Sequence, residues 1–97
     1  MPSLFVIQGP DQGRRFDLRD DPLVVGRGKE SGIRLQDTEI SRRHAELVPL
    51  PDEQAFELHD LGSANGSYVN SQRVQRHTLR TGDRVQLGRT LMMYTGA

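Results

Sequence analysis

Three clusters in this 97-residue chain hold residues suited to chemistry. Val25-Gly26-Arg27-Gly28 ends an apolar run with an arginine set between two glycines. A guanidinium presents a rigid fork of donors that matches phosphate or carboxylate oxygens. Taken alone, an arginine at a strand end is an ordinary solvated residue. Ser41-Arg42-Arg43-His44-Ala45 follows a polar loop and precedes the apolar run from Leu47. A hydroxyl, a backbone amide and two arginines at such a junction can hold a multiply charged oxyanion. The third cluster, Asp60-Leu61-Gly62-Ser63-Ala64-Asn65-Gly66-Ser67-Tyr68-Val69-Asn70, is an irregular loop returning to a strand. Asn65-Gly66 is a turn dipeptide, and the Asn65 amide can both donate to and accept from a peptide backbone. Asn70, Ser71 and Gln72 read as a further tight hairpin, so Asn70 takes a turn role in preference to ligand contact.

Other chemistries find less support. Ser41, His44 and Asp60 contain the residue types of a nucleophile, a base and an orienting acid, but no strained nucleophile turn or oxyanion hole accompanies them. His44 reads instead as a loop brace, and no catalytic residue is assigned. The chain has no cysteine and three scattered histidines, so no disulfide, metal site or cofactor is expected. Asp20-Asp21 and Asp52-Glu53 lack the liganding pattern of a calcium loop. Arg14 and Arg15 lie beside a turn and read as solvated. Lysine plus arginine and aspartate plus glutamate both count 13, which disfavours a broad nucleic-acid or membrane surface and makes any electrostatic attraction local. The apolar stretch Leu4 to Ile7 reads as neither a signal peptide nor a membrane span, and a reducing cytoplasm is the expected location.

The elements that position these clusters are short. Runs of β-branched and apolar residues recur between glycine, proline, aspartate and asparagine, and no segment keeps a 3.6-residue period long enough for a helix. Ten strands are expected: Ser3 to Gln8, Arg15 to Leu18, Leu23 to Arg27, Ile33 to Leu35, His44 to Leu50, Ala55 to Asp60, Tyr68 to Val69, Gln72 to Val74, Arg84 to Leu87 and Thr90 to Tyr94. Phe56 and Leu58 alternate against Ala55, Glu57 and His59, and Val85 and Leu87 against Arg84 and Gln86. So many short strands in one chain imply an all-β fold of two packed antiparallel sheets. The length suits one domain over residues 1–97, with its core from about 4 to 94. Polar loops at Gly28 to Gly32, Gln36 to Arg43 and Gly62 to Gly66 are then free to gather at one end.

Taken in order, Gly26-Arg27, Ser41 to Ala45, Asp60 to Asn70 and Leu79-Arg80-Thr81-Gly82-Asp83-Arg84-Val85-Gln86-Leu87-Gly88 resemble the successive blocks of the forkhead-associated (FHA) domain. The resemblance runs from about Leu4 to Tyr94, and four ordered blocks are far more specific than any one of them. It implies an eleven-stranded β-sandwich with the ligand loops at one end, acting as a phosphothreonine-dependent peptide-binding module in signalling. On the matching positions, Arg27 would bind phosphate and peptide backbone, Ser41 a phosphate oxygen, and Arg42 would add its amide or side chain. Asn65 would hold the peptide backbone, while Gly26, His44, Gly66 and Asn70 would shape the site. Strand alternation turns Arg43 away from its neighbour. Two positions depart from the family pattern: Ala64 stands where a threonine is usual, removing one hydroxyl near the ligand, and Ser67 replaces a frequent threonine. Ala64 and the broad faces of a sandwich also motivate an alternative, phosphate-independent homotypic or interdomain association. The expected partner is a phosphothreonine-containing protein or peptide, with no nucleic acid and no membrane, and the oligomeric state is left open.

Overall fold

The computed structural model describes residues 1–96. Eleven strands form: β1 (Ser3–Gln8), β2 (Arg15–Asp17), β3 (Leu23–Gly26), β4 (Ile33–Arg34), β5 (Ala45–Leu50), β6 (Ala55–Asp60), β7 (Ser67–Val69), β8 (Gln72–Val74), β9 (Arg76–Thr78), β10 (Arg84–Leu87) and β11 (Thr90–Thr95). They make a six-stranded sheet, β2-β1-β11-β10-β7-β8, and a five-stranded sheet, β4-β3-β5-β6-β9. The all-β sandwich read from the sequence is therefore the fold. Its strand count is the eleven implied by the family resemblance, one more than the local pattern revealed.

The inner faces of both sheets supply one core. Leu4 and Val6 of β1, Val85 and Leu87 of β10, and Met92 and Tyr94 of β11 meet Val25 of β3, Leu47 of β5, and Phe56 and Leu58 of β6. The period-2 alternation puts Arg84 and Gln86 outside while Val85 and Leu87 are buried, as expected for a strand with one wet face. Ala55 departs from its expected outward role and is buried with Phe56 at the start of β6. Its small side chain sits opposite Leu50, the last residue of β5.

Two pairings were not legible. All pairs are antiparallel except β3 with β4, which run parallel with Val25 opposite Ile33 and Gly26 opposite Arg34. Strand β9 is polar, Arg76-His77-Thr78, and gains its place by hydrogen-bonding to the edge of β6. Pro49 lies within β5 opposite Phe56. It is tolerated because β3 stops pairing with β5 at Leu47, leaving no ladder partner on that side to miss the proline's absent N–H.

The ladders also fix which loops share an end. Leu87 lies opposite both Ser67 and Thr90, and Gln8 opposite Leu91. The segment before β7, the β10–β11 turn and the end of β1 are therefore together. Ser3 and Thr95 pair at the other end of the same sheet.

Candidate functional site

Three loops converge at that end: residues 27–32 after β3, residues 36–44 before β5, and residues 61–66 between β6 and β7. The first two are tied by backbone bonds. The Arg27 amide donates to the Ser41 carbonyl and the Gly28 amide to the Arg42 carbonyl, each at 3.1 Å, and the Ser31 hydroxyl donates to the same Arg42 oxygen at 3.0 Å. Such contact requires a bare Cα at Gly26. A Cβ there would overlap the Arg42 carbonyl oxygen and lie 2.7 Å from its carbon.

Arg27 is exposed, and its Nε donates to the Ile40 carbonyl at 3.2 Å. That bond spends one donor to aim the guanidinium, and among the described residues its two terminal nitrogens hold no hydrogen bond. The Ser41 hydroxyl oxygen accepts from the Ala64 amide at 3.2 Å. Asn65 lies across the gap, its side-chain nitrogen donating to the Glu39 carbonyl at 2.7 Å. One N–H and the side-chain oxygen of Asn65 are left for a ligand. Arg27, Ser41, Arg42 and Asn65 are thus brought together by loop-to-loop hydrogen bonds, and the Arg27 and Asn65 side chains are each seated on a backbone carbonyl.

His44 is fully buried and braces the centre. Its Nδ1 accepts from the Ser41 amide at 3.1 Å, and its Nε2 donates to the Gly66 carbonyl at 2.8 Å. An amide can only donate and a carbonyl only accept, so the two bonds fix the Nε2–H tautomer. Neither ring nitrogen is left to serve the Ser41 hydroxyl. Asp60, the third member of the considered triad, spends its oxygens on the Gly62 and Ser63 amides and the Ser63 and Ser67 hydroxyls. The three residues form a scaffold, not a proton relay. Gly66 sits at φ 87°, a left-handed conformation that favours glycine, and so delivers its carbonyl to His44.

Asn70 is placed apart. It follows Val69, beyond the far end of β7, where its side chain donates to Asp83 at 3.0 Å and accepts from the Arg84 amide at 3.0 Å. It ties the β7–β8 turn to the start of β10, roughly 13 Å along the strand from Gly66 at ~3.3 Å per residue. Arg43 lines one cleft together with Arg27 and Arg42. Residues 42 and 43 form a bend before β5 begins at Ala45, so strand alternation does not separate them.

One organising residue went unread. Asp37 is fully buried and accepts from the Glu39 amide at 2.9 Å, the Arg89 amide at 2.7 Å and the Thr90 hydroxyl at 2.8 Å. It pins the Ser41 loop to the β10–β11 turn. The available signal was its acceptance of the amide two residues on, a habit of aspartate in turns. Burial pushes the Asp37 carboxyl up, but hydrogen bonds from Glu39, Thr90 and Arg89, with the Arg89 charge, bring it below its ordinary range. Burial likewise opposes ionisation of Asp60, and the hydrogen bonds from Ser63 and Ser67 reverse it, leaving that carboxyl low as well. Both acids therefore hold the loops as carboxylates.

Comparison with known proteins is consistent with this geometry. The FHA domain family model matches residues 23–88. The chain is 42% identical over 91 residues to an oxoglutarate dehydrogenase inhibitor of Corynebacterium efficiens, covering 94% of this chain and 63% of that protein. It is 41% identical over 91 residues to the glycogen accumulation regulator GarA of Mycolicibacterium smegmatis, covering 94% and 56%. The chain thus spans less than two thirds of the length of these curated relatives. A solved structure from work on phosphothreonine-dependent FHA domain interactions superimposes with a TM-score of 0.87 at 36% identity, over 97% of this chain and 94% of that one.

Proposed function

We propose, from the premise that this chain belongs to the FHA domain family, that it is a phosphothreonine-dependent peptide-binding module in signalling, with Arg27, Ser41, Arg42 and Asn65 as its contacts. The observation that carries the assignment of contacts is the convergence of the Arg27 guanidinium and the Ser41 hydroxyl on loops fixed by the Arg27–Ser41 backbone bond. Phosphothreonine brings a charge of about −1.5 to −2 and strong acceptor oxygens. Charge-assisted bonds contribute ~1.5 to 3 kcal/mol each, so two or three decide whether binding occurs. An unphosphorylated threonine would leave the Arg27 fork and the Ser41 proton without partners. Asn65 then grips the peptide backbone beside the phosphate, and His44, Gly26 and Gly66 keep the loops in register.

We read residues 1–97 as one domain, supported by a single core cluster that runs from Leu4 to Tyr94. The module docks and does no chemistry of its own, a reading supported by the hydrogen bonds that commit His44 and Asp60 to structure. No helix among the described residues is long and apolar enough to cross a membrane. The partner is a phosphothreonine-bearing protein, met in the cytoplasm.

The test is titration of the domain with a degenerate phosphothreonine peptide library and with its unphosphorylated twin. Saturable binding of the phosphorylated library alone is expected. Equal binding of both would replace this reading with phosphate-independent association.

A further inference from the structure

The cations of this protein are unevenly placed. Lysines and arginines number 13, as do aspartates and glutamates, yet one cleft beside Arg27 is lined by Arg27, Lys29, Arg34, Arg42 and Arg43 with Glu30 as its one acid. Among the described residues, Arg14, Arg15, Arg76 and Arg89 face a carboxylate within 4.0 Å. None of the five cleft cations does.

The position of the cleft matters as much as its charge. Its lining includes Arg27 and Arg42 but neither Ser41 nor Asn65, so it adjoins the phosphothreonine site on the Arg27 and Arg42 side. The walls are braced. The Gly28 amide and Ser31 hydroxyl hold the Arg42 carbonyl, and Arg34 Nε donates to the Arg27 carbonyl at 3.2 Å. The cleft encloses about 510 Å³, space for on the order of fifteen waters, far beyond the need of one phosphoryl group. One phosphothreonine, at about −2, also under-neutralises five cations opposed by a single glutamate.

We propose that this cleft is a second anion subsite, taking another carboxylate or phosphate carried by the same peptide as the phosphothreonine. The inference rests on the phosphothreonine reading of the Arg27 site. The preferred ligands are then acidic or doubly phosphorylated segments. An extended peptide advances ~3.3 Å per residue, so the second anion stands within roughly four residues of the phosphothreonine. The anion is drawn by several converging cations, each of modest strength in solvent. Lys29 and Arg43 supply the charge that belongs to this subsite alone, since their side chains are exposed and make no hydrogen bond among the described residues.

The experiment compares three phosphothreonine peptides on one neutral background: flanks unchanged, flanks carrying glutamates on either side, and a second phosphorylated residue in place of one glutamate. Each is titrated by fluorescence polarisation against the intact domain and the Lys29→Gln/Arg43→Gln double variant, at low and physiological ionic strength. The glutamate or doubly phosphorylated peptide should bind the intact domain at least about fivefold tighter than the neutral one, with steeper salt dependence. The double variant should lose that gain and keep its affinity for the neutral peptide within about twofold. A gain confined to the doubly phosphorylated peptide assigns the subsite to phosphate over carboxylate. No gain from either anion, or a gain that survives the double variant, overturns the subsite while leaving the Arg27 site standing. Failure of every phosphopeptide to bind overturns both.

Discussion

The Ser41 hydroxyl oxygen accepts the Ala64 amide at 3.2 Å. One lone pair is thereby occupied while the hydroxyl proton stays free, so Ser41 is oriented as a donor. A phosphate oxygen, which at neutral pH accepts far more readily than it donates, is the complement of that arrangement. The same bond makes residue 64 part of the site through its backbone although its side chain is a bare methyl.

Replacing Arg27 with alanine should weaken phosphopeptide binding about tenfold to a hundredfold, the loss expected from one or two charge-assisted hydrogen bonds. The side chain is exposed and makes a single bond, to Ile40, so the unfolding midpoint should move little. Calorimetric titration beside thermal unfolding separates the two effects. An unchanged dissociation constant would remove Arg27 from the site.

Ala64→Thr should strengthen binding. Ala64 is exposed, so the larger side chain adds a hydroxyl at the phosphate without overpacking a core. One extra hydrogen bond to a charged group predicts roughly a tenfold lower dissociation constant. A variant no tighter than the parent would mean that residue 64 does not border the ligand.

Gly26→Ala should destabilise the fold by about 2 to 4 kcal/mol, because overpacking of this kind is relieved only by backbone movement. The obstacle is the Arg42 carbonyl, so the binding loop must shift with it. Chemical denaturation measures the loss, and a variant as stable as the parent would show that the two loops part easily.

Binding should weaken as pH falls through about 6, where phosphothreonine loses its second charge. Titration from pH 7.5 to 5 against a peptide without other ionisable groups isolates the effect. A flat profile would argue that the monoanion is bound equally well.

Acid should also loosen the fold itself. The Asp37 and Asp60 carboxyls lie below their ordinary value when folded, so each contributes stability that is present above the unfolded carboxylate value of ~3.9 and is lost as pH falls from there through the folded value. Urea midpoints measured from pH 7 to 3 should fall at the acid end. Asp60→Asn should lower the midpoint at pH 7 and flatten the acid limb, and an acid limb as steep as the parent's would assign the loss to other groups.

Most of the architecture was legible because Val85 and Leu87 alternate cleanly, Phe56 and Leu58 alternate against Glu57 and His59, and their strands are bounded by turn residues. Strand β9 was not, because Arg76-His77-Thr78 has no apolar face and owes its conformation to pairing with Glu57, Leu58 and His59. The parallel partnership of β3 and β4 was equally hidden, since β4 is two residues long and register is a property of the assembled sheet. At the site, Arg27, Ser41, Arg42, His44 and Asn65 stood out by residue type and order. Asp37 did not, because its function lies in reaching Arg89 and Thr90, more than fifty positions away in the chain. Arg43 was set aside because strand-like alternation would turn it from Arg42, whereas the bend before β5 leaves both on one cleft.

The pairing of Ser3 with Thr95 sets the two ends of the β-structure side by side. Chain continuing from either end departs side by side, from the pole opposite the Arg27 loops. A domain tethered there would leave the loops open to solvent. A segment of the same polypeptide seeking its own site must instead double back along a body of 34 × 27 × 26 Å, which takes on the order of ten extended residues at ~3.3 to 3.6 Å each. A phosphothreonine tethered at that pole by fewer residues than this would be out of reach of the loops and could be met only on another molecule.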